Sequence, residues 1–476
     1  MVVVLVLAFI GLLLFWNNRS SRSAWQRYKQ ELAARGESLD WKDHLPPPPP
    51  PDKENFAATP LLKAVGIRRK VDPIVWGRFQ ALGLDSQMGK LGDWTIGRRT
   101  ELKSIQEYVR TNANFSLPQP PGEPAIDVLA SLKSVEDDLN ELRQAARRPF
   151  AKLHANYSEP FASDIPNFVA LRTLAYLVSL RASAELALGR SEDAFLDTVV
   201  IHRMGDTASP EPNLVSAMIC IAIHGLELHS FWEGWVDGRW SEQQLAEFQM
   251  RFASVDLLAI LDRALRGERA ATTTAIENSD NRTLATNLPF GLSTPAWKDR
   301  LAEFGIRVSP QGWRYRNLLN YNRLFARTLL SGWDKTNHWV DPSRVQTASQ
   351  ELLTDLSSSS PLRAPFNYLS SVAIPNFYRA LEVAVRNQTA MNQAALVCAL
   401  ERYRRAHGQY PESLEQLVPD LVRKLPHDLI GGQPLKYRRT TDGKFLLYSV
   451  GWNETDDGGD RDKQKGDWVW PADVKE

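Results

Sequence analysis

The sequence predicts a mainly α protein in three parts: an N-terminal membrane helix, a body built as a helical bundle or a tetratricopeptide-like stack, and a small C-terminal α+β module. Three observations predict it. Residues 1–16 carry no charged side chain. Between Ala125 and about Glu277 apolar residues recur at three- and four-residue spacing with few β-branched alternations. Near the end, two short alternating runs, LKYRR and KFLLYSV, follow a long helical stretch.

With 476 residues and 43% hydrophobic side chains, the chain has material for two to four compact domains. Its 57 basic and 56 acidic side chains leave a net charge of +1, which excludes global attraction to nucleic acid or anionic lipid as the main driver of function. Cys220 and Cys398 are too few for a disulfide framework or a four-thiolate zinc site. Both sit in apolar helical patterns and read as buried, inert thiols.

The first element, Met1 to Trp16 (MVVVLVLAFIGLLLFW), spans about 24 Å as a helix, somewhat under a hydrocarbon thickness of about 30 Å. A cleaved secretory signal begins with Lys or Arg and ends in small residues, whereas this run begins Met-Val and ends Phe15-Trp16-Asn17-Asn18. It reads as an uncleaved anchor through which the chain meets a membrane, with Trp16 at the interface. Arg19, Arg22, Arg27, Lys29 and Arg35 follow, and the positive-inside tendency would keep that flank cytoplasmic. A basic leader upstream of Met1 would reconcile this flank with a body outside the cytoplasm. Residues 17–54 read as a linker in which Pro46 to Pro51 forms a stiff polyproline spacer.

Residues 55–373 form the helical body. Breaks are expected near Gly66, Asp72-Pro73 and Gly92, and LPQPPGEP at 117–124 marks a domain boundary or a long surface connection. Leu171–Leu188, capped by Gly189 and followed by a helix from Ser191, predicts two antiparallel helices. The string AELALGRSEDAF at their turn resembles that of a tetratricopeptide hairpin. Asn213 to Trp235 is a further apolar helix. Its Leu214–Leu226 portion is too short to span a bilayer and carries His224, with Glu227 just beyond, so it reads as a core helix. Ser241 with Gln244 spells a capping box for the next helix.

Catalytic signatures are missing from the sequence: no GxSxG elbow, no GxxxxGK[ST] phosphate loop, no GxGxxG after a strand and no HExxH. His224 and His229 lie about 140° apart around a helix. Even so, His202, His224, Glu227 and His229 fall within one helical pair, which makes them the candidate site of a hydrolase. Trp313 to Arg327 mixes aromatics with Arg314, Arg316, Arg323 and Arg327. Helical spacing turns Leu318, Tyr321 and Phe325 to a core and leaves the arginines as a solvated face, so no nucleic-acid partner is expected.

The sequence WNETDDGGD at Trp452–Asp460 concentrates carboxylates on a glycine-containing turn, and Asn453, Asp456, Asp457, Asp460 and Asp467 are the candidate oxygen ligands for calcium. Their spacing is not that of an EF-hand, and Lys463 and Lys465 dilute the charge, so a solvated acidic turn is the alternative.

Around that loop runs a recognisable order of ALVCALERYRRAHGQYPESLEQLV, LPHDLIGGQPLKYRR, DGKFLLYSVGWNETDDGGD and GDWVW. It resembles the globular domain of the major pseudopilins of type II secretion from about Ile374 to Trp470. The alternating runs turn Leu435, Tyr437, Phe445, Leu447 and Val450 onto the long helix, and the resemblance implies a module over residues 374–476. It also implies calcium held by Asn453, Asp456, Asp457, Asp460 and Asp467, and a location outside the cytoplasm. Pseudopilins start at a Phe-Thr-Leu-Ile-Glu type string and join the module directly to the anchor helix; here that string is missing and a long helical body intervenes. The whole chain is similar to bacterial membrane-anchored proteins that combine a helical body with this module. The expected function is a non-catalytic envelope scaffold or secretion-associated component with a protein partner that the sequence does not identify. The alternative is an envelope hydrolase with its site in the body.

Overall fold

The computed structural model describes residues 2–157, 166–287, 296–329, 331–357, 377–460 and 466–474. The expected boundary at residues 373–374, and the loop residues Lys463 and Lys465, lie outside that set. The described chain is mainly helical, 65% of it in helix, with two small sheets.

Helix α1 runs over Val2–Ala34 without a break at Trp16, because residues 17–34 contain neither Gly nor Pro. Ser21, Trp25 and Leu32 recur on one buried face of its second half. Gly36, at φ 74°, ends the helix, and the Glu37 amide donates to the Leu32 carbonyl at 3.0 Å. Residues 17–45 are therefore not a linker. Trp25 and Leu32 pack with Ile276, Leu284 and Leu318, and Trp41, 6% exposed, donates its amide to Thr274 Oγ1. The proline run does not stand off from the protein either. Pro46, Pro49 and Pro50 are half-buried, and the run joins two docked points, Trp41 and Phe56, the latter's amide bonding the Phe150 carbonyl at 2.7 Å.

A first core gathers α2 (Pro60–Val65), α3 (Pro73–Ala81), α4 (Leu102–Thr111), α5 (Pro124–Ser131) and α6 (Glu136–Ala145) against α7 (Phe168–Ala187) and α8 (Ser191–Ala208). The breaks at Gly66, Asp72-Pro73 and Gly92 fall where expected: Gly66 caps α2, Asp72 caps α3 through Ile74 and Val75, and Gly92 adopts φ 78°. Residues 117–124 are a surface connection and not a boundary. Helices α4 and α5 on either side share this core, and Arg110 grips Asp127 with two hydrogen bonds.

Helices α7 and α8 form the expected antiparallel pair about Gly189, at φ 74°. Both also pack on α9 (Leu214–Val236), so the three make a bundle. Helix α9 is long and apolar enough to cross a membrane, but it is mostly buried, lying also against α11 (Leu257–Asn278) and α16 (Phe377–His407). A helix surrounded by protein needs no polar face, which accounts for its composition. The capping box of α10 (Glu242–Ser254) forms as spelled, Ser241 and Gln244 exchanging hydrogen bonds.

A third group of helices, α12 (Asn281–Asn287), α13 (Ala296–Arg307) and α14 (Gln311–Leu329), packs with α1. Leu318, Tyr321 and Phe325 are buried as expected. Two of the arginines opposite are not simply solvated: Arg314 reaches the Ser279 carbonyl, and Arg316 donates to Ser21 at 3.0 Å. After a small hairpin of two-residue strands, β1 (Trp333–Asp334) and β2 (Trp339–Val340), and α15 (Pro342–Ser357), the chain enters α16.

Helix α16 backs a three-stranded antiparallel sheet in the order β3 (Lys436–Arg439), β4 (Phe445–Ser449), β5 (Trp468–Val469), with Lys436 opposite Tyr448 and Arg439 opposite Phe445. Leu435, Phe445 and Leu447 are buried against the helix, and Tyr437 and Val450 pack at the margin. Among the described residues this unit has no core of its own. Met391, Val397 and Leu400 of α16 and Phe445 and Leu447 of β4 belong to the same apolar cluster as Phe231 and Trp232 of α9 and Phe248 and Phe252 of α10. Trp470, 1% exposed, is inserted among Trp94, Phe231 and Trp235, with ring centroids 5.1 to 6.0 Å away.

Candidate functional site

Two glutamates lie in the apolar run of α9, and the helices on either side decide what each meets. Glu227 is fully buried. His202 Nδ1, from α8, stands 3.0 Å from its Oε2, and His224 Nδ1, one turn earlier on α9, stands 3.1 Å from the same oxygen. From α10, Arg251 Nε approaches Oε1 at 3.3 Å. Arg251 also donates to Thr198 Oγ1 at 2.9 Å and to Glu247 at 3.2 Å, and its guanidinium lies over the rings of Phe248 and Phe195. Gly205 permits this closeness of α8 and α9. A Cβ there would fall 2.6 Å from His224 Nε2.

Burial alone would raise the Glu227 carboxyl, but His202, His224 and Arg251 reverse this and hold it well below the usual carboxylate range. Burial likewise opposes charge on His224, yet Cys220 one turn away and the Glu227 carboxylate push its pKa up to about 10.

One ligand atom each from His202, His224 and Glu227 lie within 4.8 Å of one another, a donor set of the kind zinc uses. A metal there would compete with the proton on His224. Glu227, Glu247 and Asp206 are already matched by Arg251, protonated His224 and Arg203, which holds Asp206 at 2.9 Å. A dication that displaced the His224 proton would leave this network with one uncompensated positive charge. What the arrangement can do is fix α8, α9 and α10 to one another.

His229 takes no part in it. It points to the other side of α9, where Nε2 is 3.0 Å from Thr100 Oγ1 and 3.4 Å from Glu233 Oε1. Glu233 accepts from the Thr100 amide at 2.7 Å and from Ser183 Oγ at 2.5 Å. Burial would raise Glu233, but His229, Ser183 and the Thr100 amide bring it down to about 2. The four residues expected to form a hydrolase site therefore divide into two packed networks. Neither the shallow depression between α1 and α14 around Ser20 and Arg316 nor the one around Ser331 and Arg344 is lined by these groups. The sequence reading missed Arg251. Its signal is its place on the buried face that carries Leu245, Phe248 and Phe252, where a charged residue requires a partner.

In the acidic loop, Asn453 Nδ2 donates to Asp457 Oδ2 at 2.8 Å. Asp456 accepts from the Tyr448 hydroxyl at 2.9 Å and the Gly458 amide at 3.1 Å, and faces Lys436 Nζ at 3.1 Å. Asp467, 4% exposed, accepts the amides of Asp457 and Gly459, while Asp460 is exposed. Burial, with the neighbouring Asp457 and Asp456 carboxylates adding to it, raises the Asp467 carboxyl above its ordinary value, the two amide hydrogen bonds notwithstanding. The hard oxygen donors suit calcium, and the mutual repulsion of the three carboxylates is what a divalent cation would relieve. Among the described residues, however, no three of these carboxylates come within 4.8 Å of one another.

Cys220 and Cys398 are both free and fully buried, as expected, and Cys220 stands beside His224. Comparison with protein-family models, with curated proteins and with solved structures finds no match to this chain.

Proposed function

We propose that the chain is a membrane-anchored, non-catalytic scaffold. Residues 2–16 enter the bilayer, and the second half of the same helix is built into the body. The observation that carries this is the contrast within α1. Leu5, Phe9, Leu12, Leu13, Leu14, Phe15 and Trp16 are 44% to 67% exposed, whereas Trp25 and Leu32, further along the same helix, are buried. Each large apolar side chain moved from water to an apolar phase contributes about 1.5–3 kcal/mol, so water is a poor solvent for this end and lipid a good one. Because the helix is continuous, the anchor and the body form one rigid connection. The reading of a non-catalytic body rests on the two sealed histidine networks.

The test is a double substitution, Phe9→Arg with Leu12→Arg, each change costing about 2.5–3.5 kcal/mol near the middle of a membrane helix. The substituted protein is expected in the supernatant after alkaline extraction of membranes, and the unsubstituted protein in the pellet. Equal retention of both would overturn the anchor.

The helix-backed sheet and its acidic loop support a pseudopilin-like reading of the C-terminal module, with Asn453, Asp456, Asp457, Asp460 and Asp467 as calcium ligands on the outer side of the membrane. There calcium would supply charge neutralisation, and Lys436 would have to yield Asp456 to it. Calorimetric titration of the detergent-solubilised full chain with calcium is expected to show binding that Asp457→Ala and Asp467→Ala abolish. Heat no different from dilution in the unsubstituted chain would remove calcium from the reading.

A further inference from the structure

We infer that the corner between α13 and α14 is a second bilayer contact, resting on the lipid surface beside the anchor; this rests on the anchor reading above. The geometry that carries it is the alignment of α14 with α1. The Gly312 amide donates to Asn18 Oδ1 at 2.6 Å, Arg316 Nε to Ser21 Oγ at 3.0 Å, and Arg323 lies over the Tyr28 ring at 5.8 Å. Residue numbers rise together along the two helices, so they run parallel. Helix α14 therefore begins beside Asn17 and Asn18, where the exposed apolar end of α1 stops, and the segment entering it reaches that level from α13.

That segment carries Val308 and, one turn earlier on α13, Phe304, which are 63% and 64% exposed. Ile306 between them is buried in the cluster with Trp25 and Leu318, so α13 is docked by one face and presents the other. Four residues separate Val308 from Gly312, which limits their separation to about 14 Å. Arg19 and Arg22 on α1 and Arg300 on α13 are exposed and suited to lipid phosphates, while Arg307, also exposed, is paired with Glu303. An exposed Phe and Val one helical turn apart, with basic neighbours, at the height where an anchor enters the membrane, fit the headgroup–acyl boundary and not water.

The two native cysteines are fully buried, so a thiol introduced on the surface is the one that reacts. Full-length protein carrying an environment-sensitive fluorophore at Val308→Cys is reconstituted into vesicles of zwitterionic and anionic phospholipid containing nitroxide lipids. The same label is placed at Leu12→Cys in the anchor and at Met250→Cys, an exposed position on α10. The expected result is loss of most fluorescence at 12 with deep nitroxides, loss at 308 with shallow nitroxides, and none at 250. Quenching at 12 without quenching at 308 overturns this inference and leaves the anchor standing. Quenching at neither overturns the anchor, and this inference with it. Omitting the anionic lipid, with quenching at 308 retained, would show that the apolar contact suffices without charge.

Discussion

Replacing Glu227 by Gln is expected to destabilise the protein by about 3–5 kcal/mol, the cost of breaking a buried ion pair while leaving its partner in place. Two imidazoles and a guanidinium converge on that carboxylate, none of them with easy access to water. The amide would present a donor to two groups that donate. Arg251→Met combined with Glu227→Gln should recover part of the loss, because it removes the stranded cation and leaves an apolar side chain among Phe195 and Phe248. Urea unfolding of the three proteins checks both statements, and a loss below about 1 kcal/mol for Glu227→Gln would mean that the network is not what holds α8, α9 and α10 together.

The same network gives a pH signature. Folding raises His224 from 6.5 to about 10, so its contribution is complete below pH 6.5 and is lost as the pH rises towards 10. Folding lowers Glu227 from 4.5, so its contribution is complete above 4.5 and is lost only in stronger acid. Both contributions are therefore present together between about pH 4.5 and 6.5, and stability should decline on the alkaline side. In the Glu227→Gln variant that alkaline decline should become shallower, the Cys220 contribution to His224 remaining.

Trp470→Ala should cost about 3–5 kcal/mol, and the loss should be felt in the body as well as in the terminal sheet. The indole fills a slot made by Trp94, Phe231 and Trp235, and the next residue ties the segment to α9 through the Trp232 Nε1 bond to the Pro471 carbonyl at 2.8 Å. An autonomous terminal domain would unfold by itself and leave the body's transition unchanged. A shared core predicts instead that the helical signal and the proteolytic sensitivity of α9 and α10 shift together in the variant. Two separated transitions in the unsubstituted protein would refute the shared core.

Much of the secondary structure was legible. The turn at Gly189, the break at Asp72-Pro73, the cap at Ser241 and the two alternating runs that became β3 and β4 are local signals, set by backbone conformation and by the pleat. The failures have a common cause. Residues 17–54 looked like a linker because their composition is polar and proline-rich, yet Trp25, Leu32 and Trp41 suffice to dock them. The histidines looked like one site because they are close in the chain, but α9 presents His224 to α8 and His229 to Thr100.

By itself the sequence determined that this chain is a helical protein with an uncharged leading helix and a short sheet behind a long helix near its end. Periodicity and capping act over three to seven residues and need no knowledge of the fold. Only the tertiary structure decided which charges are partners, that α1 is one continuous rod from its exposed tip to its buried end, and that the terminal sheet shares its core with α9 and α10. Those outcomes depend on which faces meet across one to four hundred residues of chain, and burial fixes them because an unpaired charge or an uncovered indole costs several kcal/mol.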